Sequence, residues 1–134
     1  TYCLGPAPQI VKDAHACLEA VDAAISQNML PGAVSGELFD LGEQVAAEHG
    51  MECCYLGKPE QRIKFAGHGI GLELGAPPYI LKGSKAKVRA HEAYALELKI
   101  VLDQGPVGLE NSYITNESGP PTLLTPMPNR LFEL

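Results

Sequence analysis

Between Gln9 and about Gln27 the apolar positions are Ile10, Ala14, Cys17, Leu18, Val21, Ala24 and Ile25. Steps of three and four residues place them on one face of a helix, opened by the turn around Pro6 and Pro8. The stretch "MLPGAVS" interrupts the pattern. Ser35 then serves as an N-cap for a second helix carrying Leu38, Leu41 and Val45 and ending at Gly50. His15 and His49 are expected to face solvent or lie at helix ends. Beyond Gly50 the chain changes character. "IKFAGHGIGLEL" is strand-like and "GAPPYILKGSKAK" is rich in turn residues. "AYALELKIVLDQGPVGLENSYIT" is two alternating runs around Asp, Gln, Gly and Pro, a β-hairpin in which Pro106 favours a longer or bulged loop.

The hairpin raises a charge problem. A loop centred between Asp103 and Gln104 sets Glu97 opposite Glu110, and like charges directly across a strand pair are destabilising. Ala95, Lys99 and Val101 share the Glu97 face, and Gly108, Ser112 and Ile114 share the Glu110 face. The opposite face, with Tyr94, Leu96, Leu98, Ile100, Leu109 and Tyr113, is the one to pack on the helices. Three arrangements would relieve the pair: protonation of one carboxyl, solvation on an open face, or a cation between them. Upstream, "GHGIGLELG" sets His68 among four glycines. Glycines in such a stretch mark a turn, a bulge or a close approach of something else. Together, His68, Glu97 and Glu110 are a donor set for a hard divalent ion such as manganese, short of a full two-metal site.

Composition changes the picture in a few respects. With 134 residues, 46% of them hydrophobic and 19% charged, the chain suits one globular domain or part of one. A formal net charge of −6 leaves no basic stripe for phosphates, so no nucleic-acid partner is expected. No apolar run reaches the length of a membrane span, so no membrane partner is expected either. The four cysteines form no CxxC pair, and Cys53 and Cys54 are adjacent, so they are read as free, mostly buried thiols in a cytoplasmic protein. The opening "TYCLGPAP" resembles the tail of a strand running into a turn, as in a fragment.

Three stretches, in order and suitably spaced, carry a resemblance: "GHGIGLEL" with "APPYI", then "ALELK", then "VGLENSYITNESGPPTLLT". They resemble signatures of the creatinase/aminopeptidase family, which includes the Xaa-Pro aminopeptidases and prolidases. The likeness runs from Thr1 to about Thr125. It implies an α+β pita-bread fold, here incomplete, with helices on a curved, mainly antiparallel sheet. Residues 1–125 would be the C-terminal part of a catalytic domain and 126–134 a tail. Matched residue by residue, the family's metal-binding histidine falls on His68, its first metal-binding glutamate on Glu97 and its second, bridging one on Glu110. Glu97 is also the implied catalytic proton carrier. The family's two metal-binding aspartates would precede Thr1. The resemblance further implies a short peptide as substrate. Two manganese or cobalt ions are expected in a longer parent, with weak metal binding at most and no activity in this fragment, and homodimer formation is left open. The glycines around His68 would leave room for metal and substrate.

Three departures from the family stand out. A second, substrate-contacting histidine is replaced by Gly75. The usual "PGM" turn reads "AHE", which puts an exposed His91 where glycine is preferred. The aspartates are missing. Two rival functions follow: a creatinase-like C–N hydrolase that needs no metal, and a non-catalytic module that binds peptides or proteins. A metal-free site has no reason to keep the glutamate pair, whereas Gly75 keeps the binding module in play.

Overall fold

The computed structural model describes residues 1–134. In chain order the elements are β1 (Tyr2–Cys3), α1 (Gln9–Asn28), α2 (Ser35–Glu48), a 3-10 turn (Pro59–Gln61), β2 (Phe65–Gly69), β3 (Ala76–Leu81), β4 (Ala93–Leu102), β5 (Gly105–Ile114), β6 (Thr122–Leu123) and β7 (Phe132–Glu133). Strands β2 to β6 form one antiparallel sheet in the order β3-β2-β4-β5-β6, and β1 pairs with β7 in parallel. Both helices pack on one face of the large sheet. No helix is long and apolar enough to cross a membrane.

Helix α1 follows its predicted stripe: Ala14, Cys17, Leu18, Val21 and Ile25 are buried, while Ile10 at the first turn is exposed. His15 does not face solvent as expected. Its place beside Ala14 and one turn before Leu18 carries it into the interface, where it is 3% exposed. Burial pushes its pKa down, and Glu19, with Oε2 3.6 Å from Nδ1, only partly offsets this. All four cysteines are free, with Cys17 buried and Cys53 exposed. Burial raises the Cys17 thiol to about 11.

Helix α2 departs from expectation in two ways. Val34 is the extended residue before it, so Ser35 is the first helical residue and not its cap. The Ser35 hydroxyl instead donates to the carbonyl of Tyr79 and accepts from the Leu81 N–H at 3.3 Å, which fastens the helix start to β3. The buried face centres on Leu38, Phe39 and Ala46, with Leu41 and Val45 half-buried. The helix packs against both α1 and β3, and that double contact rotates Phe39 inward.

The turn-rich reading of "GAPPYIL" is also corrected, because Ala76–Leu81 is a strand. β3 lies at the sheet edge, where Pro77 and Pro78 can lack N–H donors without breaking a ladder. The β4–β5 loop is a tight two-residue turn, Asp103–Gln104, with Leu102 paired to Gly105 and no bulge at Pro106. Pro106 is paired with Val101, whose N–H points away from β5 to the Cys54 carbonyl at 2.9 Å. In such a non-hydrogen-bonded pair neither N–H enters the ladder, so proline costs nothing there.

The core face of the hairpin is the predicted one, with Tyr94, Leu96, Leu98, Ile100, Leu109 and Tyr113 all buried. Asn111 lies on that face as well. Its Nδ2 donates to Asp22 Oδ2 at 3.2 Å, as does the Tyr113 hydroxyl at 2.7 Å, and Asn129 from the C-terminal segment adds a donor at 3.4 Å. Asp22 thus joins α1, β5 and the chain end while only 4% exposed, with its Oδ1 unpartnered. Burial raises its pKa above the usual 3.8, and the three hydrogen bonds offset part of the shift.

A raised folded pKa makes this contribution to stability fullest below 3.8 and lost as pH rises through the folded value. Asp22→Asn keeps an acceptor for the three donors and removes the buried charge. The variant is therefore expected to exceed the parent chain in stability near pH 8 by about 1 kcal/mol, with the gap closing toward acid. Urea melts across this range check it; a gap that widens on acidification would contradict the reading.

Candidate functional site

His68 lies in β2, wedged between β3 and β4, where it is paired with Tyr79 on one side and Ala95 on the other. A Cβ at Gly67 would lie 2.5 Å from the Ala95 carbonyl, and one at Gly69 would lie 2.9 Å from the carbonyls of Ala76 and Pro77. The absence of side chains at Gly67 and Gly69 lets three backbones approach. Gly75 is different. A Cβ there would meet the His68 ring at 3.7–3.9 Å, an ordinary contact, so the position opens onto the imidazole.

The ring orientation follows from its neighbours. His68 Nδ1 is 3.1 Å from the Gly69 carbonyl, which can only accept, so in the neutral ring Nδ1 carries the proton. Nε2 is then left as a lone pair, aimed at Glu97 Oε2 3.7 Å away. Two acceptors facing one another across such a gap are arranged for a cation. Phe65 stands edge-on to the ring at 6.3 Å between centroids, and His68 is 8% exposed.

The register sets Glu97 opposite Glu110, as the hairpin predicted. Counting from the turn, the two form a non-hydrogen-bonded pair, the type in which side chains approach most closely. Glu97 is partly covered, whereas Glu110 is exposed. The fold brings His68 and Glu97 together and sets Glu110 across the strand. It does not close three acidic or histidine side chains around one point. By chemistry the set fits a divalent ion: one imidazole lone pair and two carboxylates on one sheet face.

Lys99 was not singled out by sequence. Two residues beyond Glu97 on the same face, its Nζ lies 2.6 Å from Glu97 Oε1. The signal was the alternation itself, which put Lys99 beside Glu97 and opposite Gly108. His91 is exposed as expected, 3.5 Å from Glu117 and away from this cluster. Its φ of 61° is the left-handed conformation that favours glycine, which accounts for the family preference at that turn. His49 ends α2 in an exposed position.

Two helices on one face of an antiparallel sheet, with the histidine and paired carboxylates on the other, make up a pita-bread α+β fold of the peptidase type. The chain belongs to metallopeptidase family M24, whose model matches residues 1–117. Its structure is similar to the X-Pro aminopeptidase of Thermotoga maritima, with a TM-score of 0.87 at 20% identity over 99% of this chain and 36% of that one. The Xaa-Pro dipeptidase of Bacillus anthracis gives a TM-score of 0.86 at 21% identity, over 99% of this chain and 36% of that one. The N-terminal domain of the FACT complex subunit SPT16 from Cicer arietinum (chickpea) shares the fold too, with a TM-score of 0.71 at 18% identity over 83% of this chain and 28% of that one. The chain thus spans about a third of the length of these structures. No curated protein matches it.

The two glycine environments predict opposite responses. Gly75→Ala is expected to change stability by less than about 0.5 kcal/mol, because its Cβ meets the His68 ring only at ordinary van der Waals distance. Gly69→Ala, driven against two backbone carbonyls, is expected to cost about 2 kcal/mol. Denaturant unfolding of both variants checks the pair, and equal costs would contradict this placement of β2.

Proposed function

We propose that this chain supplies His68, Glu97 and Glu110 to the two-metal centre of a peptidase that hydrolyses a bond near a peptide's N-terminus, in the manner of Xaa-Pro aminopeptidases and prolidases. The observation that carries the reading is His68 Nε2 lying 3.7 Å from Glu97 Oε2, with Glu110 directly across the strand pair. Residues 1–125 act as the C-terminal part of the catalytic domain. The remaining ligands, two aspartates by family analogy, belong to a segment preceding Thr1.

Bound at these residues, manganese or cobalt ions would acidify a water and polarise the peptide carbonyl. His68 contributes a neutral nitrogen whose direction is held by the Gly69 carbonyl. Glu110, by family analogy, would be a shared metal ligand. Glu97 would hold a metal and would be the group on this chain that carries a proton to the leaving amine. Its two oxygens already face different partners, His68 and Lys99. Gly75 leaves the space above His68 free, where the family keeps a substrate-contacting histidine, and a slower or altered specificity follows.

A second reading, a peptide- or protein-binding module, draws on Gly75 and on the likeness to the SPT16 domain. Two aspartates upstream on a single strand pair favour the peptidase, and their absence favours the binder.

Three ligands from a set of five leave charge and coordination unmet. The 134-residue chain is therefore expected to bind manganese weakly in isothermal titration and to have no measurable peptidase activity. A longer parent carrying the aspartates binds tightly and is active. In that parent Glu110→Gln abolishes turnover, lowering the rate by about three orders of magnitude or more. It also raises the metal-free melting temperature slightly by removing a like charge. An active Glu110→Gln parent moves the assignment to the binding module.

A further inference from the structure

We infer that Lys99 is a resident counter-ion for Glu97, occupying on that carboxylate the place a divalent cation would take and setting how readily one is bound. The metal half of this inference rests on the proposed centre; the counter-ion half does not.

The geometry argues for it from three sides. β4 alternation places Lys99 on the same sheet face as Glu97, and its register partner is Gly108. A Cβ at Gly108 would meet only the Leu98 carbonyl, at 3.8 Å, so nothing on β5 fills the space above it. The ammonium uses this freedom to turn back along its own strand to Glu97 Oε1 at 2.6 Å, the length of a charge-assisted hydrogen bond. It does not extend outward, although both side chains are only about a third exposed, at 34% for Lys99 and 29% for Glu97.

Charge balance gives the reason. Glu97 and Glu110 face each other in the pair geometry that brings side chains closest. Without Lys99 neither glutamate would have a lysine or arginine partner. Of the three remedies open to such a pair, the metal-free protein uses two: Glu110 is exposed to solvent, and Glu97 takes a cation that is covalently part of the chain. A lysine suits the role because its ammonium is a compact point charge on a flexible stem, able to leave. A divalent ion binding Oε1 must displace Nζ from Glu97 and then tolerate its positive charge nearby. Lys99 therefore stabilises the metal-free state and opposes loading. It acts on the centre through Glu97, as a positioning residue.

The test uses the 134-residue chain with manganese alone as the probe. Lys99→Met, which keeps the aliphatic stem, is expected to tighten manganese binding about fivefold. Lys99→Arg, which keeps the charge, is expected to leave the affinity near that of the unaltered chain. Without metal, Lys99→Met lowers the melting temperature by about 2 °C, and adding Glu97→Gln to it recovers most of the loss. Weaker or unchanged manganese binding in Lys99→Met would overturn the inference, as would additive effects of the two substitutions in the metal-free chain. If Glu97→Gln alone leaves manganese binding unaltered, the metal-centre reading fails instead. The metal-free cycle then decides the counter-ion role by itself.

Discussion

The register of one hairpin governs the molecule. A two-residue turn at Asp103–Gln104 pairs Leu98 with Leu109 and Glu97 with Glu110, and every other side chain of β4 and β5 follows by alternation. A slip of one residue would turn Leu96, Leu98 and Ile100 to solvent and drive Glu97 into the helices. The apolar face therefore enforces the position of the carboxylates on the other side. Repulsion between the glutamates is tolerated because the core secures the register independently of them.

The second constraint is backbone closeness around β2. This strand is five residues long and is hydrogen-bonded on both sides. Gly67 and Gly69 accept neighbouring carbonyls where any Cβ would collide. That wedging carries His68 over Ala95, next to Glu97, and fixes the imidazole by a bond to its own chain at Gly69. A histidine on a longer or freer loop would have no such direction. Precise aim at a charged partner requires rigid elements, and the glycines supply rigidity here by permitting strand packing.

On the helix side of the sheet, a polar cluster does the work of a clasp. Asp22 takes hydrogen bonds from Asn111, Tyr113 and Asn129, so α1, β5 and the end of the chain meet at one carboxylate. Burial works against its charge, and three donors only partly compensate. The outcome is a specific but costly fastening beneath the strand that carries Glu110. Site and clasp lie on opposite faces of β5, linked by alternation alone.

Much of this was legible in the residues. Helical spacing located α1 and its buried stripe, and strict alternation located β4 and β5 with their facing glutamates, because both periods are properties of the local backbone. The same alternation already placed Lys99 beside Glu97. Other features had no local signature. The inward turn of His15 and Phe39, the recruitment of Ser35 to β3 rather than to a helix cap, and the edge strand hidden in "APPYIL" each depend on a neighbour distant in the chain. Pro106 pointed to a bulge because its tolerance depends on which side of the ladder its nitrogen faces, and only pairing decides that. The sequence by itself singled out His68, Glu97 and Glu110 as candidates and determined the face that holds the two glutamates. Tertiary structure decided that His68 Nε2 lies beside one oxygen of Glu97 and that Lys99 holds the other, because distances between side chains exist only once the strands are paired.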